Sequence, residues 1–372
     1  MAKSVSSGTT TRRDPRGQYP LYGSTGQIDR TSRREFTGPS ILVARVGANA
    51  GSVYVVDGFY GVTDNTLVVR LASGHNQSFF AQYLELAELN RMVYGSGQPL
   101  VTGSMLKSLD VPVVDPGEQA RVAAALDDVN DYIAALERLI IKKQAIKQGM
   151  VQQLLTGKTR LPGFTAEWKP TTIAARSVMK ARIGWQGLKT DEYRSSGEYS
   201  LVGGTEFVDG RVDWGATPFV DKWRFDQDHH IQLAVGDVLL TKDGSIGKTA
   251  YVDSLPVPAT LNSGVFVIRP VRDAYDSRFL YLMLRSRVFE DFLARLSAGS
   301  TISHLYQRDL VTLELELPPT LAEQRVIASA MFEAESEIVL LRQRLTKARA
   351  IKSGVMQQLL TGRVRLPVED AE

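Results

Sequence analysis

The sequence predicts an α+β chain: a tandem repeat of two α/β globular regions separated by two long antiparallel coiled-coil helices. Three observations predict it. The segment "AIKQGMVQQLLTGKTRLP" at 145–162 returns 205 residues later as "AIKSGVMQQLLTGRVRLP" at 350–367. The match runs back without a gap to Glu118-Gln119 and Glu323-Gln324, with 20 identities in 45 positions. The stretches before each copy are short β-branched runs punctuated by glycine, which is strand and turn composition.

Residues 1–17 hold four basic residues and one acid, with no apolar run. They are expected to be a flexible basic tail and not a secretory signal. Residues 18–116 form the first globular region, with apolar strands, glycine turns and the helical stretch "SFFAQYLELAELNRMV". Residues 117–160 form the first long helix. Its apolar positions Val122, Leu126, Val129, Ile133, Leu136 and Ile140 follow the 4-3-4-3-4 spacing of a coiled-coil seam. Gly157 suits a left-handed C-cap, and Pro162 forbids continuation.

Residues 161–320 form the second globular region, which echoes the first. "YPLYGSTGQID" at 19–29 resembles "YSLVGGTEFVD" at 199–209, and "ILVARVGANAGSVYVVDG" at 41–58 resembles "VLLTKDGSIGKTAYVDS" at 238–254. "VTDNTLVVR" at 62–70 resembles "ATLNSGVFVIR" at 259–269, setting Asn65 against Asn262. The second long helix spans 321–366, with seam residues Ile327, Met331, Ala334, Ile338, Leu341 and Leu345 and a cap at Gly362. Residues 367–372 are a tail.

Charge predicts how the helices pair. The first halves, 115–137 and 314–337, each hold six acids and one base. The second halves, 142–160 and 342–365, hold five and seven bases and no acid. Parallel packing sets like against like, whereas antiparallel packing lays each acidic half along a basic half. One such exposed pair is worth only ~0.2–1 kcal/mol, but the pattern is continuous.

Other function classes are excluded. The chain of 372 residues has no cysteine, so it holds no disulfide or thiolate metal site, and a reducing, cytoplasmic setting fits. No apolar run reaches the roughly 18–20 residues of a membrane span, so no membrane partner is expected. "GSIGKT" at 244–249 lacks the first glycine of a phosphate loop, since Lys242 stands there. No nucleophile elbow is present, and His229-His230 are adjacent, a poor metal-chelating spacing. A non-catalytic protein is expected, with no cofactor or metal of its own.

The paired Glu-Gln openings (Glu118-Gln119, Glu323-Gln324) and "QQLLTG" closings (152–157, 357–362) resemble those of type I restriction–modification specificity subunits. "GDVLLTKDGSIGKTAYV" and "SAGSTISHLYQRDL" are similar to segments of that family too. The resemblance covers nearly the whole chain after residue 18. It implies two target-recognition domains, each reading one half of a bipartite site on double-stranded DNA. It implies helices that space the halves and dock two methyltransferase subunits, with restriction and translocase subunits joining. S-adenosylmethionine, ATP and magnesium would belong to those partners. Two alternatives stay open: a decayed or antirestriction scaffold of the same fold, or the specificity subunit of a system with a fused methyltransferase-nuclease. One feature departs from the family. Before Tyr19 the first region has 18 residues, against 36 between Pro162 and Tyr199, so it is expected to be short at its N-terminus.

DNA reading needs hydrogen-bonding side chains on base edges and cations on phosphates. The candidates in the first region are Ser24, Thr25, Arg30, Arg45, Asn49, Asn65 and Gln98. In the second they are Thr205, Lys242, Ser245, Lys248, Asn262, Ser303 and His304.

Overall fold

A computed structural model of the chain describes residues 1–9, 13–92, 99–184, 187–297 and 304–366. The chain divides into two compact units: Met1–Ile140 with Leu340–Glu372, and Ile141–Val339. The long helices are therefore not separate bodies; each gives one half to each unit.

Unit 1 contains β1 (Ala2–Ser7), β2 (Tyr19–Gly23), β3 (Gly26–Thr31), β4 (Phe36–Thr37), β5 (Ser40–Ala44), β6 (Val53–Val56), β7 (Phe59–Val62) and β8 (Thr66–Leu71). The helices α1 (Gln77–Leu86), α2 (Gly103–Lys107) and the first part of α3 (Pro116–Leu154) follow. One sheet has the order β1-β8-β5-β6 and the other β3-β2-β7-β4. All five residues of β5 are buried, because both of its faces are covered. Ile41 and Val43 pack with Phe79, Phe80, Val122, Leu126, Met356 and Leu360, while Leu42 on the other face packs with Val56, Tyr60 and Val62.

Unit 2 opens with β9 (Lys169–Thr172), α4 (Ile173–Arg176) and β10 (Ser177–Ala181). Next come β11 (Tyr199–Val202), β12 (Phe207–Val208), β13 (Arg211–Val212), β14 (Phe219–Val220) and α5 (Lys222–Asp226). They are followed by β15 (Val238–Thr241), β16 (Thr249–Tyr251), β17 (Ala259–Leu261), β18 (Val265–Pro270), α6 (Ser277–Met283) and α7 (Arg287–Leu296). Then come α8 (Gln307–Leu310), β19 (Glu314–Leu317) and α9 (Leu321–Leu359). Its sheets run β10-β18-β15-β16-β13-β12, β14-β11-β17 and β19-β9. The order β10-β18-β15-β16 repeats β1-β8-β5-β6, and the parallel pair β11·β17 repeats β2·β7. The tandem repeat is thus present in these six pairs of strands, while the edge strands around them are paired differently.

That equivalence corrects the expected flexible tail. Ala2–Ser7 is an ordered edge strand, antiparallel to β8 with Val5 opposite Val69. It is the counterpart of β10, which pairs with β18 in the same way. An edge strand is held by main-chain hydrogen bonds and needs little apolar content; Val5 alone packs on the core. Among the described residues no strand of unit 1 stands where β9 stands in unit 2.

The long helices are antiparallel within each unit. In unit 2, Lys143 lies 2.7 Å from Glu337, and Lys147 pairs with Glu335. In unit 1, Arg349 lies 2.7 Å from Glu137. The seam has two kinds of environment. Ile133, Leu136, Ile140, Leu341 and Leu345 pack helix against helix. Val122 and Leu126 instead enter the sheet core of unit 1, and Ile327 and Met331 that of unit 2 beside Leu154 and Leu155. Ile338 is buried and Val129 half-buried. Gly157 and Gly362 take φ of 66° and 70°, the left-handed cap expected of them.

The Glu-Gln openings fasten these joints. Gln119 Nε2 donates to the Val114 carbonyl, 2.7 Å, and its Oε1 accepts from the Asn76 amide, 2.9 Å. Gln324 does the same with the Pro318 carbonyl, 2.9 Å, and the Asp276 amide, 2.8 Å. Asn76 and Asp276 are the N-caps of α1 and α6, so each glutamine locks a long helix to a short one. Glu118 receives Arg365 on both oxygens, and Glu323 receives Arg160 at 2.7 and 2.8 Å. In each unit the start of one long helix thus holds the segment leaving the other, through a bidentate pair.

Candidate nucleic-acid interface

In unit 2 four segments converge at the ends of β11, β15, β17 and β18. The turn after β15 carries Lys242, Ser245 and Lys248. Thr241 closes it: its hydroxyl donates to the Ser245 carbonyl, 2.5 Å, and accepts from the Lys248 amide, 2.9 Å. Gly244 and Gly247 have φ of 67° and 84°, the left-handed region that favours glycine, and a Cβ at Gly247 would also push on the tip of the Leu293 side chain, 2.4 Å away. The Lys242 amide donates to the Gly264 carbonyl, 2.9 Å, and its carbonyl accepts from the Leu305 amide, 2.8 Å. That stitches the turn to the loops after β17 and before α8. Asn262 follows β17, its amide on the Val202 carbonyl, and this sets it beside the Gly203–Thr205 turn.

The candidates Thr205, Lys242, Ser245, Lys248, Asn262 and His304 are therefore brought together; Ser303 lies outside the described residues. Several are already bonded. Asn262 Nδ2 donates to the Tyr193 hydroxyl, 3.0 Å, and its Oδ1 accepts from the Ser263 amide, 2.7 Å. Thr205 donates to Glu206, 2.6 Å. His304 Nδ1 is bonded to Asp243 Oδ1, and the ring lies 4.4 Å from that of Tyr306, on which Arg308 stacks at 4.6 Å. Lys242 lies 5.5 Å from the Phe266 ring, and no ion pair holds Lys242 or Lys248 among the described residues.

Tyr193, Glu206, Asp243 and Tyr306 were missed by the sequence reasoning. Asp243 had a signal, since it sits inside the glycine turn next to Lys242. A search for cations passes over a carboxylate, although carboxylates accept from the cytosine amino group.

The same backbone frame recurs in unit 1. The Arg45 amide donates to the Asn65 carbonyl, 2.9 Å, and the Val101 amide to the Arg45 carbonyl, 2.8 Å. Gly47 and Gly51, at φ of 81° and 90°, stand where Gly244 and Gly247 stand. Arg45 is thus the counterpart of Lys242, and Asn49 lies in the turn between the two glycines. Two expectations shift. Asn65 stands opposite Gly264 and Asn262 opposite Thr63, because Thr66 and Val265 occupy the same ladder position against Ala44 and Thr241. Arg30 is not part of the frame: its guanidinium donates to the Gly17 and Gln18 carbonyls, 2.7 and 2.6 Å, at the far end of the β2–β3 hairpin. Ser24 and Thr25 form the near end of that hairpin, with the Tyr54 hydroxyl on the Ser24 carbonyl, 3.4 Å. Gln98 lies outside the described residues.

The side chains on the shared frame differ in kind. The isolated bridge Asp243↔His304 of unit 2 corresponds to Val46↔Leu100 in unit 1, and Lys248 corresponds to Ser52. One frame presents a carboxylate, an imidazole and an ammonium; the other presents two aliphatic groups and a hydroxyl. Among the described residues no cluster of His, Asp or Glu is arranged to hold a metal. Among the described residues no helix is long and apolar enough to cross a membrane.

Compared with known families, the chain matches the type I restriction modification DNA specificity domain over residues 5–148 and 179–349. It is similar to the type I restriction enzyme MjaVIII specificity subunit of Methanocaldococcus jannaschii, 23% identical over 347 residues, covering 88% of this chain and 79% of that one. It is 28% identical over 109 residues to the EcoprrI specificity subunit of Escherichia coli, covering 29% of this chain and 27% of that one. The S subunit of a type I restriction–modification system from M. genitalium shares the fold at a TM-score of 0.68 and 16% identity, over 96% of this chain and 94% of that one.

Proposed function

From the premise that this chain belongs to the type I restriction–modification DNA specificity family and is a specificity subunit with two such domains, we propose that each unit reads one half of a bipartite, asymmetric DNA site. The observation that carries this reading is the shared frame with unlike side chains. Equal backbones approach DNA in the same way, while Asp243, His304 and Lys248 against Val46, Leu100 and Ser52 select different bases. Aliphatic groups suit a thymine methyl, and a carboxylate suits a cytosine amino group. Lys242, Lys248 and Arg45 serve phosphates. Ser24, Thr25, Asn49, Asn65, Thr205, Ser245 and Asn262 lie on or beside the same turns and complete the surface.

The long helices set the spacing between the half-sites and dock two methyltransferase subunits, with restriction and translocase subunits joining them in the cytoplasm. The chain performs no chemistry itself. S-adenosylmethionine, ATP and magnesium act in the partner subunits. The test is incorporation of labelled methyl groups. The pure chain with DNA and S-adenosylmethionine should transfer none, and adding its methyltransferase partner should give transfer at one bipartite sequence. Transfer by the chain alone would overturn the non-catalytic part of the proposal, and transfer at a single undivided site would overturn the bipartite part.

A further inference from the structure

Arg182, the residue after β10, is the largest fully buried side chain among the described residues, 1% exposed. Its guanidinium forms no ion pair among those residues. Nε donates to the Leu261 carbonyl, 2.8 Å, Nη2 to the Thr260 hydroxyl, 3.1 Å, and Nη1 to Gln227 Oε1, 3.1 Å. Burying a cation away from any carboxylate is costly. What its bonds fix is the end of β17, the peptide from which Asn262 departs. Gln227 Oε1 also accepts from Arg224 Nη1, 3.0 Å. Arg224 in turn grips Glu192 with two bonds, 2.7 and 2.8 Å, and Tyr193 is the next residue. This chain of contacts holds both members of one pair, Tyr193 and Asn262.

The pair has a defined polarity. Asn262 Oδ1 accepts from the Ser263 amide, 2.7 Å, which fixes which end of the side-chain amide is nitrogen. Nδ2 donates one of its two hydrogens to the Tyr193 hydroxyl, 3.0 Å. That hydroxyl oxygen accepts, so its own hydrogen points elsewhere. Each group therefore keeps one hydrogen, and neither hydrogen has an acceptor among the described residues. Tyr193 is 37% exposed, so the two donors stand side by side at the surface, on the face that carries the Lys242–Lys248 turn.

Unit 1 has no such device among the described residues. Thr63 stands at the place of Asn262 and Val62 at that of Leu261. Ser7 faces Leu67 across the ladder as Ala181 faces Phe266, so Gly8 stands where Arg182 stands. A Cβ at Gly8 would collide with the Val62 carbonyl, which leaves no room there for a side chain.

We propose that Tyr193 and Asn262 select a guanine in the half-site of unit 2, and that Arg182 is the positioning residue that holds them in register. The inference rests on the reading of unit 2 as a DNA-reading domain and names the base. Two neighbouring donors match the O6 and N7 acceptors of guanine in the major groove. Adenine offers a donor beside its acceptor, cytosine offers a donor, and thymine offers one acceptor beside a methyl group. Only guanine takes both hydrogens. Lys242 and Lys248, on the neighbouring turn, are the groups suited to phosphates.

The test is methylome sequencing of the full chain expressed with its methyltransferase partner. Wild type should require guanine at one position of one half-site. Tyr193→Phe should relax that requirement about tenfold, the share of one hydrogen bond in a bidentate contact, and leave every other position as it was. Asn262→Asp replaces a donor with an acceptor and should turn the same position away from guanine. Both side chains reach the surface, so these variants should fold, and circular dichroism checks each one. Arg182→Lys, which exchanges a fork for a single point donor, should relax the same position and no other. Base preference unchanged by Tyr193→Phe and Asn262→Asp overturns the proposal. So does uniform weakening across all sequences, which is the mark of a phosphate contact. Lower activity from Arg182→Lys at wild-type base preference would overturn its positioning role. A wild-type complex that methylates no bipartite sequence would instead defeat the DNA-reading proposal, and this inference with it, so the two failures are told apart.

Discussion

Replacing Glu323 with alanine should destabilise unit 2 far more than the matching change at Glu118 destabilises unit 1. The Glu323 side chain is 2% exposed and accepts three hydrogen bonds, two from Arg160 and one from Trp168. Removing it leaves a mostly buried guanidinium without a counter-ion. Breaking a buried pair from one side costs about 3–5 kcal/mol. The partial exposure of Arg160 pulls the figure to the lower end, and the lost indole acceptor adds ~1 kcal/mol. A loss of about 3–4 kcal/mol is a large share of the roughly 5–15 kcal/mol that holds a domain together. With a urea slope of about 2 kcal/mol/M, the unfolding midpoint should fall by roughly 1.5–2 M. At Glu118 the partner Arg365 is largely in water and no indole bonds the carboxylate, so the loss there is smaller. The chain separates the two signals by itself. All four tryptophans, at 168, 185, 214 and 223, lie within the span of unit 2. Tryptophan fluorescence therefore follows unit 2, while far-ultraviolet circular dichroism follows both. Glu323→Ala should move the fluorescence transition, and Glu118→Ala should leave it in place. Equal shifts from the two variants, or a shift under about 0.5 M from Glu323→Ala, would refute the argument that burial decides the strength of these joints.

Three further predictions follow from the same geometry. Hydrogen bonds from the Arg224 guanidinium hold the Glu192 carboxyl down to about 2, below its usual 4.5. A lowered folded value means the contribution of this pair is complete above pH 4.5 and is lost on acidification toward pH 2. An acid titration followed by tryptophan fluorescence should show that loss in wild type and not in Glu192→Gln. Lys248→Ala should reduce the salt dependence of DNA binding by a slope of ~0.9, as expected for one phosphate contact, whereas Asp243→Asn should change base preference in one half-site only. Finally, one heptad inserted after Leu136 and one after Leu341 keeps the seam in phase and lengthens each helix by ~10 Å. Methylome sequencing should then find the half-sites unchanged and their spacing wider by about three base pairs. An active variant that methylates the original spacing contradicts the proposed role of the helices.

The long helices were legible because their signals are local and redundant: a seven-residue period, a capping glycine, and charge that inverts at midpoint. The Glu-Gln motif was visible as a repeat, but its job was not, since its partners Asn76 and Arg365 are distant in sequence. The strand Ala2–Ser7 was hidden by its composition. Three serines and a lysine look like a tail, yet an edge strand needs mainly free backbone groups on its neighbour. The pairing of Asn65 with Asn262 failed by two residues, because side-chain identity was matched where the ladder is set by the strands on either side. Arg30 shows the limit of charge as a guide: its guanidinium bonds backbone carbonyls. The reading face became visible only when hydrogen bonds joined turns that lie up to a hundred residues apart in the chain.

The most direct test of the central claim is an exchange of residues 173–313 for the matching region of a relative with a different target. The exchange leaves Trp168, β9 and β19 in place. The chimera is expressed with its methyltransferase partner, and its methylated sites are mapped by sequencing. Independent reading by two units predicts that one half of the bipartite site changes while the other half stays as it was. A change in both halves, or in neither, would contradict it.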